Sequence, residues 1–548
     1  MGYKEKASRE QVMLLPDSIE DYVGEDNPVR VIDAFVDSLD PVALRFTKSV
    51  PADTGCPPYA PSDLLKLYVY GYYNRIRSSR KLMIECGRNV EVMWLMGKLR
   101  PDFRTISDFR KENAKSLRLV FREFVHLCDK LKLYNKELIA VDGSKFRAQN
   151  SDDKCFNAEI LRKKLANIDE HISEYLRSME KTDEEEKDEL MTADQVKAAL
   201  LELEKRKEKY TGYLVELAET GATQKLETDP EARRMHSKDG FHCCYNVQTA
   251  VDSGNHLIAE YEVTNHNTDQ GLLNEFCGQT KKTLAVETIE VVADKGYESR
   301  EDILNCLMNG TIPNVALKYD KTERIFNLEY EEVENAEELR DSAKPEDIEK
   351  CLHAGILPKC YENTAVSVEV QEQSTISCFV RKDDDTVICP TGCILSKRKT
   401  RGEKTEYANQ DACRQCKTRC TSSKNHKQVS FGPNTDCVPV RMYGDSRKLQ
   451  RIPENAKISS YNHSLDRADY VKKKVVIRIK EDKEKLKQRM RLSEHPFGTV
   501  KWYQGAHYVL CRGKEKVSGE LGLSFLAYNL RRAITLVGVP ALIAAARA

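Results

Sequence analysis

The stretch LIAVDGSKFRAQNS, residues 138–151, opens with four apolar residues and then presents an acid among small and basic neighbours. A short apolar run bounded by polar residues reads as a buried strand, so Leu138 to Val141 set Asp142 at or near a strand's exposed end. The pattern returns in VVADKGYES (291–299), where Val291, Val292 and Ala293 lead into Asp294, and a third acid, Glu494, stands in SEHPFGTVK (493–501). Three distant carboxylates converging on one point form the donor set of a divalent-metal phosphoryl-transfer site. Hard Mg²⁺ takes oxygen ligands, and two such ions can clamp the attacking and leaving oxygens of a phosphodiester. An Asp after a strand is a common pattern, and no single island carries this reading alone.

At 548 residues and 40% hydrophobic, the chain has material for roughly three or four structural units. Lys plus Arg and Asp plus Glu both total 87, so the formal net charge is zero, without the basic footprint usual for a nucleic-acid binder. The charge is unevenly spread. Residues 472–491 hold Lys472, Lys473, Lys474, Arg478, Lys480, Lys483, Lys485, Lys487, Arg489 and Arg491, while acids gather in 183–190 and 328–348. Eighteen cysteines, scattered and partly adjacent as Cys243-Cys244, do not resemble a disulfide framework and suit a reducing cytosol. The first residues lack the apolar core of a signal peptide, and the apolar stretch near 534–546 is interrupted by Gly538 and Pro540. A cytoplasmic protein without membrane contact is expected.

Residues 1–135 read as helical: Leu65, Tyr68, Val69 and Tyr72 keep helical spacing after a Pro61-Ser62 start, and Thr105 with Asp108 looks like a capping box. Arg75, Arg77, Arg80 and Lys81 alternate with apolar and aromatic residues and could face a phosphate backbone. In 157–225, Leu161, Leu165, Ile168, Ile172, Tyr175 and Met179 follow a 4-3 spacing that Val196, Leu200, Leu203, Tyr210, Leu214 and Leu217 resume, with Lys207 on the seam. Two such segments make an antiparallel helical hairpin. FHCCYNVQTAVDSGNHLIAEYEVT (241–264) reads as a β-hairpin around Asp252-Ser253-Gly254-Asn255. Residues 321–372 are acidic, poorly periodic and read as a linker. Within 373–440, Cys389, Cys393, Cys413, Cys416 and Cys420 could supply four thiolates to a tetrahedral Zn²⁺, with Cys389 or Cys393 as the first ligand. The nearby Lys397, Arg398, Lys404, Arg414 and Lys417 would make that module a DNA-contacting knob. His236, His242, His256 and His266 lack metal-ligand spacing and read as surface histidines.

These islands, in this order, resemble the DDE transposases of bacterial insertion sequences, the group marked by D-G-[ST]-K, A-D-K-G-Y and E-H-P-F-G-x-[IV]-K. PPYAPSDLLKLYVYGYYNRIRSSRKL (57–82), PDFRTISDFR (101–110), TDPEARRM (228–235), GFHCCYNVQTAVD (240–252) and RGKEKVSGELGLSFLAYNLRR (512–532) extend the resemblance over nearly the whole chain. It implies an α/β fold: an RNase H-like core with a mixed sheet, split over 136–156, 226–320 and 441–548. An all-helical N-terminal domain, the inserted helical hairpin and a small cysteine-rich zinc module would surround that core.

The resemblance implies a transposase that binds terminal inverted repeats and target DNA and works as a homo-dimer in a synaptic complex. Asp142, Asp294 and Glu494 would coordinate two Mg²⁺ or Mn²⁺ ions. Arg489, Lys501, Lys145 and Lys295 would hold phosphates, with Arg75, Arg77 and Arg80 as further DNA contacts. The family's cysteine quartet maps to Cys389, Cys413, Cys416 and Cys420, and His495 is assigned to fixing the turn after Glu494. Where many relatives have Tyr, this chain has Leu486, and Ser493 is a second departure. Two alternatives are a captured relative that binds DNA without cutting it and a nuclease using zinc at the cysteines.

Overall fold

β-Branched and apolar residues alternate or run together through 138–147, 240–264 and 289–315, and these segments build one sheet. The structure is a computed structural model and describes residues 18–51, 53–54, 57–182, 193–237, 239–317, 322–373, 376–416, 420, 426–441 and 472–548. It divides into two compact units: Met1–Leu307 with Thr311–Lys318 and Asp482–Ala548, and Met308–Gly310 with Tyr319–Glu481.

The first unit begins with six helices: α1 (Pro28–Asp37), α2 (Pro61–Tyr73), α3 (Ser79–Arg88), α4 (Val90–Leu95), α5 (Phe103–Glu112) and α6 (Ala114–Lys130). α2 starts at Pro61 as the sequence predicts, and Leu65, Tyr68, Val69 and Tyr72 are all buried. α5 starts earlier than the Thr105–Asp108 box would place it. Asp102 is the cap, accepting from the Arg104 and Thr105 amides, as a carboxylate before the first turn is well suited to do. The six helices belong to the same compact unit as the sheet that follows.

Next come β1 (Leu138–Arg147), β2 (Cys155–Phe156), α7 (Ala158–Thr182), α8 (Ala193–Thr220), β3 (Lys225–Leu226), β4 (Arg233–Ser237), β5 (Gly240–Asp252), β6 (Ile258–Thr264), α9 (Leu273–Leu284), β7 (Ile289–Ala293), α10 (Arg300–Met308) and β8 (Thr311–Val315). The sheet order is β4-β5-β1-β7-β8, with β6 also paired to β5. β1, β5 and β6 are antiparallel neighbours, whereas β7 and β8 run parallel to β1. The expected β-hairpin is β5–β6, and the helical insertion α7–α8 leaves the sheet between β1 and β5. The pair β2–β3 closes the base of that insertion, where Phe156, Leu161 and Leu217 pack with Tyr210, Tyr213 and Leu214. Lys207, the seam-breaking residue, meets Asp169 of the facing helix at 2.7 Å.

The second unit holds β9 (Glu323–Glu329), α11 (Ala336–Asp341), α12 (Pro345–His353), β10 (Val366–Gln373), β11 (Ile376–Arg381), β12 (Thr386–Ile388), β13 (Ile394–Arg401), β14 (Lys404–Ala408), α13 (Gln410–Gln415), β15 (Gln428–Phe431), β16 (Cys437–Arg441) and β17 (Lys472–Lys480). Its sheets run β10-β17-β9 and β15-β14-β13-β12-β11-β16. The acidic segment 321–372 is therefore no linker. Its elements are short, and among them α12 buries Ile348, Cys351 and Leu352 while β9 buries Phe326. Lys472–Lys480 likewise joins this unit as a strand, and the first unit resumes only at Asp482. Lys417 and the acidic stretch 183–190 lie outside the described residues.

The chain closes with α14 (Lys483–Gly498), a π-helical turn at Thr499–Tyr503, and α15 (Lys514–Arg547). Among the described residues α15 alone is long and apolar enough, by length and composition, to cross a membrane. Val517, Leu521, Phe525, Leu526 and Leu530 in its first half are buried within the unit, whereas Leu536 further along is exposed. α15 packs closely on α6, since a Cβ on Gly519 would sit 2.7 Å from the Ala114 Cα and carbonyl. Gly538, at φ 78°, kinks the helix ahead of Pro540.

Glu520 on α15 is fully buried and accepts from Arg77 at 2.6 Å and from the Leu510 and Cys511 amides at 2.8 Å. Burial works against its charge, yet Arg110 and Arg77 hold the carboxyl below its ordinary value. Removing one partner of a buried ion pair leaves an uncompensated charge, at a cost of about 3–5 kcal/mol. Glu520→Ala is expected to lose stability on that scale in urea unfolding; a loss below ~1 kcal/mol would contradict this account of the core.

Candidate active site

β1 and β7 pair in parallel, with Ile139 opposite Val291 and Ala140 opposite Val292. Two residues further along each strand come Asp142 and Asp294, so the register sets both acids at one level on strands about 4.8 Å apart. β7 ends at Ala293, and Asp294 stands at a strand end as expected. β1 continues to Arg147, so Asp142 lies within its strand, beside the place where its parallel neighbour has stopped.

Asp142 Oδ1 accepts from the Gly143 amide at 2.9 Å, and Asp294 Oδ1 accepts from Gly296 at 2.7 Å. Burial pushes the Asp142 carboxyl above its ordinary value. The Ser493 hydroxyl and the Arg489 guanidinium, 3.5 Å away, oppose that rise, and the Asp294 charge adds to it.

α14 supplies the opposing wall. Leu486 and Leu492 pack on Leu138, Ala140 and Val292. Arg489 and Ser493, one turn apart, face Asp142. Glu494 is the next position around the helix and is exposed. The structure thus brings Asp142 and Asp294 together, while Glu494 does not contact them. Among the described residues no group of three or more His, Cys, Asp and Glu side chains is disposed to hold a metal ion.

The basic residues singled out by sequence have mixed positions. Lys295 is exposed beside Asp294. Arg489 pairs with Asp142. Lys501 donates to the Ser144 hydroxyl and the Lys145 carbonyl, both at 2.6 Å, and lies over the Phe146 ring. Lys145 turns its amine inward, where it is buried without a hydrogen-bond partner, and burial pushes its pKa down against the pull of Asp269. Arg75 is exposed over the Tyr503 ring and Arg80 over Phe103. Arg77 is buried on Glu520 and cannot present its charge to solvent, which corrects its expected DNA role. His495 reaches the Tyr528 hydroxyl at 3.1 Å, and α14 runs on to Gly498, so no turn follows Glu494 for it to fix.

Sequence reasoning missed a network beside the acids. Asp269 Oδ1 accepts from Asn246 at 2.7 Å and from Gln248 at 2.8 Å, and the Tyr297 hydroxyl donates to Gln248. Asn246 and Gln248 are polar at alternate positions of a strand that is otherwise buried, and buried amides demand partners. That alternation was the available signal.

In the second unit, Cys389 and Cys393 bracket a turn in which the Cys393 amide donates to the Cys389 sulfur at 3.2 Å. Cys420 is pushed up to about 11 by burial, with Cys413, Cys389 and Cys416 adding to the effect. The thiols share a neighbourhood but are not gathered as metal ligands among the described residues.

The chain matches the family described as "Transposase domain (DUF772)" over residues 17–112 and that described as "Transposase DDE domain" over residues 135–530. No curated protein matches it. Among solved structures it is similar to a "piggyBac transposase synaptic complex with hairpin DNA", at 8% identity over 95% of this chain and 79% of that one. The TM-score of 0.27 is too low for that likeness to carry an argument.

A carboxyl raised in the fold penalises stability as pH rises from its unfolded value, about 3.9, through its folded one, and the penalty is absent below both. Asp142→Asn removes the penalty. Without metal, the variant is expected to melt above the unsubstituted protein at pH 7, with the gap closing below about pH 4. A lower melting temperature at pH 7 would overturn this account of the site's electrostatics.

Proposed function

The chain belongs to the transposase DDE domain family, and on that premise we propose that it cuts and joins DNA at the terminal inverted repeats of an insertion sequence, using Asp142, Asp294 and Glu494 in a bacterial cytoplasm. The observation that carries this reading is the β1–β7 register, which sets two carboxylates side by side where one strand ends. The succession β6, β5, β1, β7, β8, antiparallel on one side of β1 and parallel on the other, supports an RNase H-like core.

Asp142 and Asp294 offer hard oxygen donors, and their mutual repulsion under burial favours a bound cation. Mg²⁺ or Mn²⁺, when bound, supplies activation of a water or 3′-hydroxyl and charge stabilisation at the leaving oxygen. Arg489 then loses its carboxylate partner and is free to hold a DNA phosphate. Lys295, exposed beside Asp294, is placed for the same task. Glu494 follows directly on Ser493, which lies against Asp142, and is the third acid of this reading. Joining two DNA ends calls for at least two protomers.

A structural zinc on Cys389 or Cys393 with Cys413, Cys416 and Cys420 belongs to the same reading, supported by the thiols' shared neighbourhood. If cleavage strictly requires Mg²⁺ or Mn²⁺ while zinc survives mild chelation, zinc is structural; cleavage restored by zinc alone would favour the cysteine-based nuclease.

The decisive assay uses the purified full chain, Mg²⁺ and duplex DNA carrying the terminal repeats. Nicking at the repeat ends is expected. Asp142→Ala, Asp294→Ala and Glu494→Ala should each reduce it at least about a thousandfold, the several kcal/mol of charge stabilisation such a site supplies. Specific binding without nicking would instead identify a captured DNA-binding relative.

A further inference from the structure

Gly143 follows Asp142, and Gly296 lies two residues after Asp294. Both glycines sit against the Asp269 carboxylate. A Cβ built on Gly143 would lie 2.5 Å from Asp269 Oδ1 and 2.7 Å from Gln248 Nε2. One on Gly296 would lie 2.8 Å from Asp294 Oδ1 and 3.6 Å from Asp269 Oδ2. Asp269 Oδ2 and Asp294 Oδ1 are therefore no further apart than those last two distances together. Only a residue without a side chain lets the β1 backbone beside Asp142 approach the Asp269 carboxylate so closely, while at Gly296 the close contact is with Asp294 itself and Asp269 lies at ordinary contact distance.

That carboxylate is itself fixed. Gln248 pairs with Gly143, and Asn246 with Lys145, across the β1–β5 ladder. Both amide side chains are almost wholly buried and both donate to Asp269 Oδ1. The other end of the Gln248 amide accepts from Tyr297, which is buried and belongs to the turn that follows Asp294. The chain of bonds runs from the loop after β6, through β5, to the turn after β7, with Gly143 of β1 packed against it. Lys145 supplies the only nearby unpaired cation among the residues described in this network.

We propose that Asp269 is a positioning residue of the catalytic centre: through Gln248 and Tyr297 it latches the Asp294 turn to β1 and sets the spacing between Asp142 and Asp294. The inference rests on the metal-dependent reading given above. Asp269 touches neither the metal nor DNA in this account. It acts on cation binding by fixing the two ligands, as residues behind a metal's ligands commonly do, with about 10–100-fold effects on affinity.

Mn²⁺ titration of the full chain without DNA, read by the signal of free Mn²⁺, tests this apart from cleavage. Asp269→Ala and Tyr297→Phe are each expected to weaken Mn²⁺ binding about 10-fold or more. Asp269→Asn keeps an acceptor at Oδ1 and should restore most of the loss. Unchanged Mn²⁺ affinity in both Asp269→Ala and Tyr297→Phe, even with a lowered melting temperature, would overturn the latch and leave a merely structural network. Should Asp269→Ala fail to fold, Tyr297→Phe decides alone, since it removes one hydroxyl. Absence of Mn²⁺ binding in the unsubstituted protein would instead strike the functional reading itself, so the two failures are distinguishable.

Discussion

Parallel strands cannot be joined by a tight turn, and the β1–β7 pair joins segments separated by the helical insertion, the β5–β6 hairpin and α9. Asp142 and Asp294 take their shared level from that pairing. Ala140 opposite Val292 fixes the level of Asp142 and Asp294. The buried apolar faces of both strands make a one-residue slip costly, because it would turn Val291 and Val292 to the wrong sides. α14 packs its leucines on the same two strands and so brings Arg489 and Ser493 over Asp142. The shared level of the two acids is thus a consequence of hydrophobic register, and the polar network around Asp269 is built on it.

A buried and a half-buried carboxylate in the first unit, Glu520 and Asp142, show how differently charge can be housed. Glu520 has two arginines and two backbone amides around it and is held ionised. Asp142 has one guanidinium at 3.5 Å and a second acid nearby, and is pushed toward its neutral form. The first arrangement secures α15 to the N-terminal helices. The second is unfavourable as it stands, a deficit that the proposed cation would relieve.

Much of this fold was legible because hydrophobic spacing is a local property. The strand before Asp142, the hairpin at 241–264 and the paired helices around Lys207 all follow from it. What escaped depends on partners distant in sequence. Nothing local to Arg77 reveals that Glu520, over 400 residues away, neutralises it. Asp269 sits in the polar run NHNTDQ, indistinguishable from a loop until Asn246 and Gln248 are seen to need an acceptor. The 321–372 segment read as a linker because its elements are short and few of their residues are buried, three in α12. For Glu494, the motif gave the residue but not its side of the helix, which the packing of Leu486 and Leu492 decides.

The central claim is that Asp142, Asp294 and Glu494 converge on a shared cation. Its most direct test is an experimentally determined structure of the full chain with Mn²⁺ and terminal-repeat DNA, with the manganese located by anomalous scattering. The account predicts manganese between Asp142 and Asp294, the Glu494 carboxylate drawn into its coordination shell, and Arg489 released onto a phosphate. Manganese held elsewhere, or held by the two aspartates while Glu494 still faces solvent, would contradict it.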